Sequence, residues 1–132
     1  DEGMWDPGFY LSFQAVAERC REGLNDFLVN SKQSGDLVVG YGAAAKGNTL
    51  LNFAKVDQGL LAYVVDRNPA KQGMLLPGSG IPVVSEERLR KDQPDAVVVL
   101  PWNLAPEIQA QLGYVADWGG SLLVAVPELR EL

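Results

Sequence analysis

The residues best placed to do chemistry form one run, Gly40-Tyr41-Gly42-Ala43-Ala44-Ala45-Lys46-Gly47-Asn48-Thr49. From Gly40 it spells G-x-G-x-x-A, which fits the dinucleotide fingerprint, since that pattern accepts Ala at its last position. One small residue permits a tight turn, one lets a phosphate approach the backbone, and one lets a helix pack close to a strand. Unclaimed N–H groups at the start of the helix then attract an anion. Lys46 fits such a site. A cation near a helix N-terminus opposes the macrodipole by ~0.3–1 kcal/mol, and a bound phosphate reverses that sign. The alternative is that Lys46 points into water. Gly42 and Gly47 also have the glycine spacing of a P-loop, but Asn48 stands where that motif needs Lys. Further along, Asp66 ends an apolar run about 20 residues after the loop, where a carboxylate can accept hydrogen bonds from a ribose diol. Its alternative is a turn residue before Arg67-Asn68-Pro69. A second group is Leu100-Pro101-Trp102-Asn103. There Trp102 can stack on a flat ring and Asn103 can donate and accept, or the pair is a packed Trp beside a capping Asn.

What is missing limits the chemistry as firmly. The chain has no His, which removes the commonest metal ligand and general base and any Ser–His or Cys–His nucleophile pair. A lone cysteine makes no zinc cluster. Tyr41 and Lys46 can in principle move protons, but no catalytic constellation emerges.

These residues need a scaffold. Four apolar runs read as strands: Leu37–Tyr41, Leu60–Val65, Ala96–Leu100 and Leu122–Val126. None alternates cleanly between apolar and polar, as expected of strands covered on both faces. Ile81–Val84 reads as a shorter strand, with Pro82 best suited to the sheet edge. Helices are expected over 46–55, from Ser85 to about Lys91 with Glu86 and Glu87 in the first turn, and over 104–115 with Asn103 as N-cap and Pro106 in the first turn. Alternating strands and helices imply parallel β-α-β units with right-handed crossovers. Upstream, Phe9, Phe13, Val16, Ala17, Cys20, Leu24, Phe27 and Leu28 form a helical stripe. The Asp6-Pro7-Gly8 turn starts it, polar residues from Asn30 to Gly35 end it, and Gly23 weakens it by roughly 1 kcal/mol. The expected fold is therefore a Rossmann-like three-layer α/β sandwich with a mostly parallel sheet over residues 36–132. An N-terminal connector helix over 1–35 precedes it. The glycine-rich stretch Asn68–Gly80 lies near the same rim, either as a segment that closes over a ligand or as an ordinary connection.

Bulk properties agree. The chain has 132 residues, 47% hydrophobic and 21% charged, about one domain in length and near the globular average. Its net charge of −6 makes it poor electrostatic bait for nucleic acid or anionic lipid, so neither is an expected partner and any phosphate must be held locally. With Cys20 as its single cysteine the chain cannot form an internal disulfide, which fits a cytoplasmic setting. No apolar run approaches the roughly 18 residues of a membrane span. The chain starts at Asp1 with no initiator Met, as a piece of something longer would.

Taken together, the motifs resemble one family. They are the Gly40–Thr49 loop continuing through Leu50-Leu51-Asn52-Phe53, then Val65-Asp66-Arg67-Asn68-Pro69 with Lys71, Gln72 and Gly73. Leu76-Pro77-Gly78 with Ile81-Pro82, Pro94-Asp95, Leu100-Pro101-Trp102-Asn103 and Trp118-Gly119-Gly120 complete the set. The pattern is similar to the C-terminal domain of S-adenosylmethionine-dependent C-methyltransferases, the kind that act on nucleotide-linked deoxysugars. It spans roughly residues 9–127. Ala44 departs from it, since many relatives have Pro there, but Ala keeps the loop small.

The resemblance implies a division of labour. A zinc-binding domain and a methyl-donor domain precede this one in the same chain and partner it. The donor S-adenosylmethionine, the structural zinc and the base lie outside these residues, so this segment binds no cofactor and is not catalytic alone. Its implied role is to hold the diphosphate of a sugar nucleotide, with Gly40, Tyr41, Gly42, Ala43, Lys46 and Asn48 nearest the phosphates. Gly47, Asp66, Pro101, Trp102 and Asn103 complete the expected binding surface. Two other functions stay open on the residues alone: a self-sufficient NAD(P)- or coenzyme A-binding module, and a domain that only packs against its neighbours.

Overall fold

The computed structural model describes residues 7–126 and 129–132, with side chains from residue 15 onward. Asp6 of the expected starting turn, and the side chains of Phe9 and Phe13, lie outside the described residues. Helix α1 runs Pro7–Gln33. Cys20, Leu24 and Leu28 recur every fourth residue on one face, and all three are buried. Gly35, at φ +81°, takes the left-handed conformation that ends helices. Its N–H donates to Lys32 O at 3.1 Å, and that of Asp36 to Ser31 O at 2.9 Å. Gly23 has a packing reason: a Cβ there would stand 3.3 Å from Leu129 Cβ.

The strands are β1 (Val38–Tyr41), β2 (Val64–Val65), β3 (Val83–Val84), β4 (Ala96–Val99), β5 (Ser121–Val124) and β6 (Arg130–Glu131). They form one six-stranded sheet in the order β3-β2-β1-β4-β5-β6. All neighbours are parallel except β5 and β6. This is the Rossmann-like α/β fold that the strand and helix pattern predicts. The reason for the continuous apolar runs is visible along each strand. Val38, Val64, Ala96, Val98 and Leu123 face a core shared with α1 and α2 (Ala45–Phe53). Val39, Tyr41, Val65, Val97 and Val99 face a second core under α3 (Glu86–Asp92) and α4 (Ala105–Gln111). Both faces are covered, so alternation disappears.

The structure corrects several boundaries. Only Val64–Val65 of the run expected over 60–65 is strand, because the N–H groups of Leu60 and Leu61 are spent on a turn, both donating to Asp57 O at 3.0 Å. Pro82 does lie at the sheet edge, beside the edge strand β3, bridged to Leu75. The helix expected over 104–115 is three pieces: a 3₁₀ turn at Trp102–Leu104, α4, and a 3₁₀ segment at Gly113–Trp118. Asn103 does not cap it. The N-cap is Leu104, and no side chain caps there.

Candidate functional site

Sheet order reverses at β1, since β2 and β3 lie on one side of it and β4 and β5 on the other. Ligands of such sheets bind outside the carboxyl ends of the strands at this switch point. Here it is formed by the Gly42–Ala44 turn after β1 and by Pro101–Trp102 after β4. The two turns touch. Gly42 has φ +90°, and a Cβ on it would lie 2.6 Å from Pro101 Cδ.

The glycines have different jobs from those the G-x-G-x-x-A pattern assigns. Gly40 is a packing residue inside β1, where a Cβ would meet Val64, Leu100 and Leu61 side chains at 3.1–3.3 Å. Ala45, the last position of the pattern, is exposed. Close approach of helix to strand falls to Gly47 instead, whose Cβ would stand 2.6 Å from Leu100 Cβ.

Main-chain donors sort cleanly. Gly42 N–H donates to Val65 O at 2.7 Å, Ala44 N–H to Gly42 O at 2.9 Å and Asn48 N–H to Ala44 O at 2.9 Å, while Ala43 N–H donates to Asp66 Oδ2 at 2.8 Å. The amides of Ala45, Lys46 and Gly47 precede any intrahelical acceptor. The N-cap Ala44 offers them no side-chain oxygen. Asn48 adds a buried side-chain oxygen, Oδ1, with no hydrogen-bond partner among the described residues.

Beside this helix start lies a groove of about 470 Å³. Lys46, Thr49, Leu50 and Phe53 of α2 form one wall, Val16, Cys20 and Arg21 of α1 the other, and Trp102 also lines it. Its charged residues are Arg21, Lys46 and Glu18, two cations against one carboxylate, in a chain whose net charge is −6. The Arg21 guanidinium sits 5.3 Å above the Phe53 ring. The α1 wall was not legible beforehand, because nothing in a helical stripe says which neighbour it will face. A smaller cavity of about 240 Å³ lies at the amino ends of the strands, and Asp36, Asp95 and Glu131 line it, a lining that repels anions.

The remaining expected residues spread out. Tyr41 turns its ring into the second core, under α3 and α4. Burial pushes its hydroxyl pKa up, partly offset by Arg67, with the Glu86 and Asp66 charges adding to the rise. Asp66 is committed to backbone, accepting from Ala43 N–H and, through Oδ1, from Asn68 N–H at 2.8 Å. Asn103 is exposed on its turn. The glycine-rich stretch after β2 is strapped down: Asn52 Nδ2 donates to Pro77 O at 3.0 Å, and Gly78, at φ +85°, leaves room for that side chain.

On the opposite face, Arg67 grips Glu86 through Nε and Nη2. Arg90 and Tyr114 also donate to Glu86, at 3.2 and 2.8 Å. Burial alone would raise the Glu86 pKa, but the bonds from Arg67 and Tyr114 and the two positive charges hold it below the ordinary value. Among the described residues, no three acidic, Cys or His side chains gather as a metal site, and no helix is long and apolar enough to cross a membrane.

Fold and site define a doubly wound α/β domain with an uncapped helix N-terminus at its switch point. Comparison with known proteins narrows the class. Residues 1–127 match the family described as the C-methyltransferase C-terminal domain, and the chain belongs to that family. It is 33% identical to the C-methyltransferase NovU of Streptomyces niveus over 129 residues, 98% of this chain and 31% of NovU. The chain thus spans about a third of the length of this curated relative. Among solved structures it resembles the UDP-D-quinovosamine 4-dehydrogenase of Vibrio fischeri, with a TM-score of 0.54, 16% identity, and coverage of 74% of this chain and 93% of that one. At that identity the likeness speaks for the fold alone.

Proposed function

We propose that this domain holds a nucleotide-linked sugar by its diphosphate at the start of α2. Other parts of a longer protein then carry S-adenosylmethionine, the structural zinc and the base. The observation that carries this assignment is the uncapped N-terminus of α2 at the switch point, with Lys46 beside it. Three free amides and a lysine complement a diphosphate, and a bound ligand would offset the cost of leaving them uncapped. The adjoining groove, with Trp102 and Phe53 in its lining, suits the flat part of the ligand. Gly42 and Pro101 shape the turn, and Asn48 lies one helical step deeper.

A self-sufficient dinucleotide module is the weaker reading. Gly40 is spent on packing, and the Asp66 oxygens that would take a ribose diol already accept two amides. A thermal-shift panel decides between them. Ligand at 100 times its dissociation constant stabilises by about 2.7 kcal/mol. A deoxythymidine diphosphate-sugar should raise the midpoint, with little effect from NAD or S-adenosylmethionine. Lys46→Ala should weaken that binding on the order of tenfold and leave the fold intact, since Lys46 is exposed. A clear NAD shift alone, or unchanged affinity in the Lys46 variant, overturns the assignment.

A further inference from the structure

The loop that leads into α2 is held from outside itself. Both main-chain polar groups of Ala43 are engaged by the segment after β2. Its N–H donates to Asp66 Oδ2 at 2.8 Å, and its carbonyl accepts from Lys71 Nζ at 3.1 Å. The two clamping groups are paired with each other, 4.0 Å apart. Asp66 is braced in turn: its Oδ1 accepts from Asn68 N–H at 2.8 Å, and its carbonyl accepts from Gln72 Nε2 at 2.9 Å. The Asp66 side chain is 15% exposed and that of Lys71 is 45% exposed.

Two physical consequences follow. Backbone acceptors take the Gly42 and Ala44 amides and the clamp takes that of Ala43, so only the Ala45–Gly47 amides are left for an anion, and the clamp fixes the direction in which α2 presents them. It also places a carboxylate on the loop that leads into the proposed diphosphate site. An unpaired carboxylate there would repel that ligand; Lys71 offsets the charge. We infer that Asp66 and Lys71 are positioning residues that set the α2 N-terminus for the diphosphate by holding Ala43 from both sides, rather than contacts to the ribose. The ligand part of this inference rests on the diphosphate reading; the clamp itself does not.

The test uses the 132-residue chain and two independent readouts. The first is amide hydrogen exchange followed by NMR. Asp66→Asn should speed exchange at Ala43 by tenfold or more, on the order expected for weakening its one charge-assisted bond, and Lys71→Ala, which releases the Ala43 carbonyl and unpairs Asp66, should speed it in the same direction but less, while Val97 and Leu123 in the sheet are unaffected. Lys71→Arg keeps a donor and should restore protection. The exposed Lys71 position keeps the test usable if the Asp66 variant folds poorly. The second readout is titration with uridine diphosphate and 2′-deoxyuridine diphosphate. A clamp predicts that Asp66→Asn weakens both by the same factor, matched by Lys71→Ala and rescued by Lys71→Arg. A loss confined to the ribo form would overturn the inference and make Asp66 a ribose contact. So would unchanged Ala43 exchange in both variants. If the unmodified chain binds neither nucleotide, the diphosphate reading fails and the exchange data alone decide the clamp.

Discussion

Replacing Gly47 with Ala reverses an ordinary rule and so probes how α2 sits on the sheet. In an exposed helix interior, Gly to Ala gains about 1 kcal/mol. Gly47 is buried in α2, and the added Cβ would lie 2.6 Å from Leu100 Cβ and 3.4 Å from Leu100 Cα and Cγ. Leu100 Cβ hangs directly on the backbone after β4, so it cannot swing away. Ordinary carbon contacts begin near ~3.5 Å, and the helix or the strand end must therefore give by about 1 Å. Overpacking of this kind costs ~1–3 kcal/mol. A 2.6 Å contact with a Cβ puts the cost in the upper part of that range; set against the propensity gain of about 1 kcal/mol, the net loss is about 1–2 kcal/mol, which for a domain this size lowers the thermal midpoint on the order of 3–8 °C. Urea unfolding followed by far-UV circular dichroism measures it, with an unchanged slope showing that stability alone moved. Gly113→Ala is the control, since a Cβ there meets nothing within 4 Å, and it should be close to neutral. A Gly47→Ala variant as stable as the parent would refute the close seating of α2 on Leu100.

The Arg67–Glu86–Arg90–Tyr114 cluster should give the domain an acid limb. The Glu86 pKa is lowered in the folded state, so its stabilisation is complete above the unfolded value of about 4.3 and is lost as pH falls through the lower folded value. The stability gap between the parent and Glu86→Gln should therefore shrink as pH falls from about 5 to 2, and a constant gap would contradict the pairing. In β2's neighbourhood, the buried Tyr63 hydroxyl donates to Asp92 Oδ2 at 3.0 Å, while Asp92 keeps Arg88 Nε at 2.9 Å. Tyr63→Phe should cost about 1–2 kcal/mol in urea unfolding; a neutral result would show that the bond adds nothing beyond what water supplies.

Much of the fold was written in local sequence. Continuous apolar runs at Val38–Tyr41, Ala96–Val99 and Leu122–Val124 can be satisfied only by a sheet covered on both faces, and the polar segments between them by crossovers. Helix α1 announced itself through Cys20, Leu24 and Leu28. Even Pro82 pointed to the edge, because a residue without N–H weakens any ladder that needs it. The loop after β1 was legible as a tight strand-to-helix turn for a similar reason: small residues let the chain turn there and let the helix pack close to the sheet.

Sequence spacing could not say which glycine does what. Gly40 fits the fingerprint by position, yet the Leu100 and Val64 side chains claim its space, and Gly47 takes the packing role assigned to Ala45. Those neighbours come from strands 20 to 60 residues away, and only their pairing in the sheet brings them close. Asp66 likewise has the right spacing for a ribose, but the turn at Asn68 and the loop at Ala43 converge on its two oxygens. The groove shows the same limit, since Arg21 and Lys46 belong to helices separated by β1 and meet only because both pack on one face of the sheet. The sequence by itself determined that a turn of small residues ends β1 and leads straight into a helix. Which amides of that turn are left without an acceptor was decided by tertiary contacts, because a hydrogen-bond donor is available only after every nearer acceptor has made its claim.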